Sequence, residues 1–226
     1  MANEPQLAHE MGGGVQCLAI SPDGELIATG DGRAVVVRQW SDGLEVGRAE
    51  LAERWTSGEK LDSGFDSSSG PNPWQYANYF AVNCVAFSPD GERLIAGAEQ
   101  GHVALTDRLA NSPTIWQAHP SDVHALVSHP DWQMIASAGA DRMIRLWNLA
   151  RSESTGEPVM LAEWKADEDA VTAMVFHPGG RYLLSGSAGG VVTIWDLERI
   201  RLGLEQLDLA WEIPPSYSFA EKSGSS

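Results

Sequence analysis

The sequence predicts an all-β protein in which one antiparallel sheet motif is repeated four times. Four stretches begin with Val and place a Pro seven residues later, so each holds one short apolar run before a turn. A second and a third short apolar run follow in every unit, and turn-forming residues separate them. Short strands with turns at regular spacing indicate an antiparallel all-β repeat.

Each unit has the same order of elements. The first strands start at Val15, Val82, Val123 and Val171, and the turn prolines are Pro22, Pro89, Pro130 and Pro178. Pro pre-sets φ in the turn, and a following Asp or Gly supplies an acceptor or a permissive backbone. The second strands read ELIATG, RLIAGA, QMIASA and YLLSGS, and the third read AVVVRQW, HVALTD, MIRLWN and VVTIWD. A weaker fourth strand is visible in LEVGRAEL, PTIWQAH and PVMLAEWKA.

One stretch, residues 118–148, carries a recognisable set of polar residues. It resembles the WD-repeat family of β-propellers, in which a His, a Ser or Thr, an Asp and a Trp form a structural tetrad. The matching residues are His119, Ser137, Asp141 and Trp147. A buried imidazole between a carboxylate and a hydroxyl, with an indole N–H on that hydroxyl, satisfies the polar groups involved. The resemblance covers residues 4–196 and implies a WD-repeat β-propeller with four detectable blades.

The other three units depart from this tetrad. The fourth keeps Ser185 and Trp195 but has Asp167 and Gly189 at the other two positions; the second has Asn78, Ala96, Gln100 and Thr106; the first keeps Thr29, with Trp40 one residue out of register. Apolar periodicity still predicts the fold there, with weaker local cooperativity than in the third blade.

The C-terminal part is expected to be helical. Leu197, Ile200, Leu204, Leu207 and Trp211 recur at spacings of three and four, which predicts an amphipathic helix over 197–213. Asp196 is the expected N-cap, Pro214 and Pro215 end the helix, and residues 214–226 are expected to be a flexible tail. The fourth blade therefore lacks an outer strand, whereas EPQLAHE at 4–10 reads as an outer strand with no blade of its own. Pairing the two would hide two sheet edges.

Four blades are the low limit for a propeller, so three arrangements stay open. The chain is a C-terminal piece of a longer protein, it associates with itself to complete a larger ring, or it closes as a compact four-bladed ring. The segment LEQLDLAWEIPPSY favours the first. It is similar to tails that end many bacterial WD-repeat proteins, including those fused behind serine/threonine kinase domains.

Composition limits the partners and the compartment. A net charge of −16 argues against contact with nucleic acid or with anionic membranes, since both need a basic face. No apolar run approaches the ~20 residues that span a bilayer. The N-terminal residues show neither the basic nor the apolar part of a secretory signal, and two cysteines form no disulfide framework. A reducing bacterial cytoplasm is the expected location.

The sequence offers no catalytic centre. It has no Gly-rich loop with a following strand Lys and no His-Arg-Asp loop, so kinase activity is not predicted. No Cys/His cluster has zinc-site spacing, and no metal site or cofactor is predicted. Cys17 and Cys84 occupy the same repeat position as Ala125 and Ala173, so we expect them to be packing residues.

Function is therefore expected on surfaces. The residue after each starting Val is polar within an apolar strand, and we expect these residues at the mouth of the central channel: Gln16, Asn83, His124 and Thr172. A second candidate is the insertion 54–80, which ends in Trp74, Tyr76, Tyr79 and Phe80, residue types that anchor peptides. The alternative for the four polar residues is that they line the channel without binding a ligand. The alternative for the insertion is that it only packs over its own blade.

The sequence thus predicts a non-catalytic interaction scaffold for a protein or peptide. The alternative is a regulatory or substrate-docking region of a larger bacterial signalling enzyme, such as a serine/threonine kinase. The partner's identity is not encoded in any motif.

Overall fold

The computed structural model describes residues 14–32, 34–51, 81–111, 113–130, 134–151 and 158–205. These residues form fifteen strands in four antiparallel sheets, followed by one helix. The predicted all-β class and the fourfold repeat are confirmed. The four sheets are the blades, numbered in chain order.

Every blade runs from an inner strand outwards in sequence order. Blade 1 consists of β1 (Val15–Ile20), β2 (Leu26–Asp31), β3 (Ala34–Gln39) and β4 (Glu45–Glu50). Blade 2 consists of β5 (Val82–Phe87), β6 (Arg93–Ala98), β7 (His102–Asp107) and β8 (Thr114–Gln117). Blade 3 consists of β9 (Val123–Ser128), β10 (Met134–Gly139), β11 (Met143–Arg151) and β12 (Pro158–Lys165). Blade 4 consists of β13 (Val171–Phe176), β14 (Tyr182–Ser187) and β15 (Val192–Asp196).

The turn prolines occupy matching corners of the four sheets. In each blade the residue before Pro donates its backbone N–H to the first residue of the second strand. These bonds join Ser21 to Leu26 at 2.9 Å, Ser88 to Arg93 at 2.9 Å, His129 to Met134 at 2.8 Å and His177 to Tyr182 at 2.8 Å. A single turn geometry therefore sets the register of all four blades.

The hydrophobic core lies between neighbouring blades. The inner strands follow one another, with β1 against β5, β5 against β9 and β9 against β13. Three apolar clusters fill the three junctions, one between each pair of consecutive blades. Among the described strands, no comparable packing joins β1 to β13. The described residues thus form an arc of four blades and not a compact closed ring.

The end of the described chain is helical, as predicted. Helix α1 spans Leu197–Glu205, and the Asp196 carboxylate accepts the backbone N–H of Arg199 at 3.3 Å, which is an N-cap bond. Leu197 is fully buried, and Ile200 and Leu204 pack on the cluster between blades 3 and 4. Blade 4 has three strands among the described residues. The expected outer strand at 4–10, the rest of the helix to 213 and the tail 214–226 lie outside them.

Candidate functional site

Blade 3 contains a continuous hydrogen-bonded chain of four side chains, here called the His119 network. The ring of His119 lies with Nδ1 3.0 Å from Asp141 Oδ2 and Nε2 2.8 Å from Ser137 Oγ. Trp147 Nε1–H donates to the same Ser137 oxygen at 2.8 Å. A proton on Nδ1 of a neutral His119 satisfies each group, because Ser137 then donates to Nε2 and accepts from Trp147.

Two further residues, which sequence analysis missed, extend the network outwards. The Arg145 guanidinium contacts both Asp141 and His119, and its Nε donates to Glu163 at 3.0 Å. Arg145 follows Asp141 by four residues and pairs with Glu163 across β11 and β12. An Arg four residues after the turn Asp was the available signal. The carboxylate of Asp141 is therefore neutralised by a cation as well as held by an imidazole.

Burial controls the charge state of the network. Burial lowers the pKa of His119 and outweighs the Asp141 carboxylate, which acts in the opposite direction. For Asp141, burial acts to raise the pKa, but Arg145 and His119 together bring it below its usual value. At neutral pH the network therefore holds a neutral imidazole beside an ionised carboxylate.

Because His119 is held neutral in the folded protein, the free energy of unfolding should depend on pH below neutrality. Because the folded pKa of His119 lies below the ordinary value of 6.5, the unfolded chain takes up a proton first as the pH falls. We expect His119→Asn to remove up to about 1.4 kcal/mol per pH unit from the pH dependence of unfolding between pH 6.5 and the lowered pKa. Urea unfolding at pH 7.5, 6.0 and 5.0 measures this slope. An unchanged slope in the variant would contradict a buried neutral imidazole.

The other blades keep only parts of this network. In blade 4, Trp195 Nε1–H donates to Ser185 Oγ at 2.8 Å, which reproduces the Trp–Ser half. In blade 1, Trp40 is 54% exposed and lies beyond β3, while Arg38 takes the strand position of Trp147 and reaches Thr29 Oγ1 at 3.4 Å. The expectation that Trp40 is one residue out of register is wrong, since it lies two residues from that position.

The four candidate mouth residues share a backbone feature that the sequence does not show. In every blade the register between the inner and second strands shifts by one residue at this point, between Val15 and Cys17, for example. The extra, unpaired residues are Gln16, Asn83, His124 and Thr172. Such β-bulges turn a side chain away from the regular alternation of a strand. We call this end of the blades the bulge mouth.

The bulge residues differ in what they contact. Asn83 donates from Nδ2 to the backbone oxygen of Val123 at 3.2 Å and so ties blade 2 to blade 3. Thr172 donates to the backbone oxygen of Gly186 at 3.3 Å within its own blade. Gln16 and Thr172 are exposed and His124 is half-buried. Asn83 therefore has a structural role beside any role in binding, while Gln16 and Thr172 are the more exposed members of the set.

The insertion begins and ends at the bulge mouth. Leu51 follows the end of β4 that pairs with the start of β3, and Ala81 immediately precedes β5. The Glu99 N–H donates to Ala81 O at 3.0 Å, which fixes the point where the insertion rejoins blade 2. The aromatic candidates Trp74, Tyr76, Tyr79 and Phe80 themselves lie outside the described residues.

A cavity of about 430 Å³ lies at the opposite end of the inner strands, where sequence analysis expected nothing. Its lining is mostly apolar and includes Pro22, Pro89, Pro130, Phe87 and Phe176. The repeated prolines were the signal that could have found it, because equivalent turns of adjacent blades converge. We call this end of the blades the proline end.

The two cysteines lie where packing residues were expected. Cys17 packs on the cluster between blades 1 and 2, and Cys84 on the cluster between blades 2 and 3. Burial raises the pKa of the Cys17 thiol to about 11, and burial also raises the pKa of Cys84. Both remain thiols near neutral pH, and a protonated thiol is a poor nucleophile.

Neither a metal centre nor a membrane span is found in the described part of the chain. No group of three or more His, Cys, Asp or Glu side chains there is arranged to hold a metal ion. No helix within the described ranges has the length and apolar character that crossing a bilayer requires.

Comparison with known families agrees with this geometry. The family model "WD domain, G-beta repeat" matches residues 5–37, 75–107, 111–148 and 159–196, more than half of the chain. The chain belongs to the WD-repeat family. The third match contains the whole His119 network, and each of the last two matches begins near the outer strand of the preceding blade.

Curated relatives share the repeats over part of their length. WD repeat-containing protein 91 of Mus musculus is 33% identical over 73 residues, which is 32% of this chain and 10% of that protein. WD repeat-containing protein 1 of Gallus gallus is 26% identical over 162 residues, 61% of this chain and 26% of that protein. Periodic tryptophan protein 2 of Arabidopsis thaliana is 33% identical over 78 residues, 34% of this chain and 9% of that protein. The chain thus spans between about a tenth and a quarter of these proteins, which come from animals and a plant.

Proposed function

We propose that this WD-repeat chain is a non-catalytic scaffold that binds a protein or peptide at the bulge mouth. WD-repeat proteins in general act as protein-interaction scaffolds, so the family supports the class of function. A location in a reducing, bacterial cytoplasm is part of the proposal, and the two free thiols of Cys17 and Cys84 agree with it.

The observation that supports binding at the bulge mouth is that the same β-bulge occurs in all four blades. A bulge interrupts strand pairing, and it is found where a side chain must be re-aimed. Here the same interruption places a polar residue at the same end of every inner strand. Rigid sheets then present these residues as a fixed set, which reduces the entropy lost on binding.

The insertion would supply the apolar part of the same surface. Both of its junctions with the described chain, at Leu51 and Ala81, lie at the bulge mouth. Trp74, Tyr76, Tyr79 and Phe80 are close in sequence to the second junction. Large aromatic side chains contribute most of the binding energy in many interfaces. We propose that they anchor a peptide that the bulge residues orient.

Peptides selected from a random display library on the full chain provide the test. The triple variant Gln16→Ala, His124→Ala and Thr172→Ala is expected to weaken binding of the selected peptides at least about tenfold, through loss of polar contacts of about 0.5–1.5 kcal/mol each. Deletion of residues 54–80 should weaken binding further. Isothermal titration with one chosen peptide measures both changes.

The matched control substitutes exposed polar residues at the proline end. Glu25→Ala and Glu92→Ala change side chains that lie in the turns after Pro22 and Pro89. These variants should bind the peptide as the unchanged chain does. Equal affinity of the control and the triple variant would refute binding at the bulge mouth.

A docking region within a larger enzyme remains the second candidate. The observation that favours it is the small share of each relative that the match to this chain covers, 10% and 26% for two of them. It uses the same bulge mouth and differs only in what is joined to the blades.

A further inference from the structure

The first and last blades each expose a face that the other blades bury. A blade packs its leading face against the preceding blade and its trailing face against the following one. The leading face of blade 1 presents Leu18 and Ile20, which are 66% and 51% exposed. The trailing face of blade 4 presents Val192 and Ile194, which are 71% and 66% exposed. Contiguous apolar surface of this kind marks an interaction site.

Strand register shows how unusual the trailing face is. Residues at the position of Ile194 in blades 1 to 3 are 0%, 3% and 0% exposed, namely Val37, Leu105 and Leu146. Residues at the position of Val192 are 1%, 0% and 0% exposed, namely Val35, Val103 and Ile144. The side chains of blade 4 are of the same apolar type. Their sequence therefore fits a blade junction that the described residues do not complete.

The leading face of blade 1 shows the same contrast. Leu18 corresponds in register to Val85 and Leu126, which are 8% and 5% exposed, and to Met174, which is half-buried. Ile20 corresponds to Phe87 and Phe176, each 8% exposed, and to the half-buried Ser128. Every junction inside the chain joins one trailing face to one leading face. The two exposed faces are thus the two halves of a junction of this type.

We propose that two copies of this chain join head to tail, with the trailing face of blade 4 in each copy packed on the leading face of blade 1 in the other. Two such junctions, related by a two-fold axis, make a ring of eight blades. Eight lies within the range of about four to eight blades that propellers use. A contact between unlike faces that closes on itself gives a finite assembly, and closure leaves neither face exposed.

A second copy fits these faces better than a segment of the same chain does. A single strand added at the edge of β15 would extend the sheet, and it would not cover the flat faces that hold Ile194 and Leu18. Another copy carries the complementary face in the register that is used three times within the chain. The junction would be apolar at its centre and would form between two chains of net charge −16. Association should therefore strengthen with added salt, which screens the repulsion.

Sedimentation velocity on the full chain at several concentrations, in 50 mM and 500 mM salt, tests the proposal. The expected result is a discrete species of twice the 24.4 kDa chain mass, with a lower dissociation constant at the higher salt concentration. Leu18→Glu and Ile194→Glu, made separately, should each raise the dissociation constant at least about a hundredfold, since a charge would enter both junctions. Both positions are solvent-exposed in the single chain, so circular dichroism should show that each variant still folds.

Mixing the two variants separates a junction from a general loss of solubility. A mixed pair keeps one unaltered junction, formed by the trailing face of Leu18→Glu and the leading face of Ile194→Glu. The mixture should therefore associate more strongly than either variant alone. Met160→Glu is the matched control, because Met160 is 47% exposed on the outer strand of an interior blade. This variant should form the same species of doubled mass as the unchanged chain. A monomer at every concentration, or an open series of larger species, overturns the ring of two copies.

Discussion

Replacing Ser137 with Ala is expected to cost about 2–4 kcal/mol of unfolding free energy, far more than a typical loss of one hydroxyl. The Ser137 oxygen is the central partner of both His119 and Trp147, at 2.8 Å from each ring nitrogen. Ser137 is fully buried, so no water replaces it. Two buried polar groups lose their partner at once, and each carries its own desolvation cost.

Ser185→Ala in blade 4 is the matched control. Ser185 occupies the equivalent position and accepts from Trp195 at 2.8 Å, but no imidazole completes that pair. Trp195 is half-buried, so its loss of a partner is softened by solvent. We expect a cost of about 1 kcal/mol for this variant.

Urea unfolding of both variants at one protein concentration measures the difference, since any association of copies would add to stability. A third variant, Asp141→Asn, and the Ser137→Ala/Asp141→Asn double variant complete a cycle. The two costs should be less than additive, because the network is already broken by the first change. Equal costs for Ser137→Ala and Ser185→Ala would show that the His119 network adds no stability beyond a Trp–Ser pair.

Both the strands and the His119 network could be predicted from the sequence, but for different physical reasons. Prolines at one spacing fix the corners of sheets, so Pro22 and its equivalents determine where each first strand ends. The network is readable because buried polar groups need specific partners, and few residue sets satisfy a buried imidazole. His119 and Asp141 are 22 residues apart in the chain but adjacent in the blade, as the family resemblance implied.

Other features could not be read from the sequence because they depend on backbone register or on packing partners. A bulge is one unpaired residue, and Gln16 or Thr172 looks the same in sequence whether or not its strand is interrupted. Likewise, Leu18 and Ile194 follow the alternation of core residues. The alternation of apolar and polar residues indicates that one face of a strand is covered, but it does not identify what covers that face. The arc with two exposed ends therefore became evident only in three dimensions.

The Arg38 position shows a third limit. Residue type alone suggested Trp40 as the blade 1 equivalent of Trp147. The pairing between β2 and β3, however, places Arg38 opposite Ile27. The equivalent pair in blade 3 is Ile135 and Trp147. A register shift of one or two residues hardly changes the apolar pattern of a short strand. It nevertheless gives each side chain a different cross-strand neighbour.

Replacing Gly101 with Ala is expected to combine a clash against backbone with left-handed backbone strain, and so to be strongly destabilising. The turn between β6 and β7 holds Gly101 at φ +82°, and a Cβ there would lie 1.7 Å from the backbone oxygen of His119. The Gly101 oxygen also accepts the backbone N–H groups of Ala118 and His119, at 2.9 and 3.0 Å. A clash with backbone cannot be relieved by a side-chain rotation, so the chain leading to His119 must move.

Gly190 separates this contact from backbone strain alone. It occupies the same turn position in blade 4 with the same φ of +82°, and a Cβ there meets nothing within 4 Å. Gly190→Ala is therefore expected to cost only the left-handed backbone strain, about 1–2 kcal/mol. Gly101→Ala adds the clash and should cost at least ~3 kcal/mol.

Thermal unfolding of the two variants measures this difference, and the indole N–H resonance of Trp147 reports the position of His119. We expect that resonance, assigned by its absence in Trp147→Phe, to shift in Gly101→Ala and to stay unchanged in Gly190→Ala. The shift follows because His119 moves with its backbone, and Ser137 links its ring to the Trp147 indole. Equal unfolding costs with no shift would mean that the turn of blade 2 does not position His119, and the network would then depend on blade 3 alone.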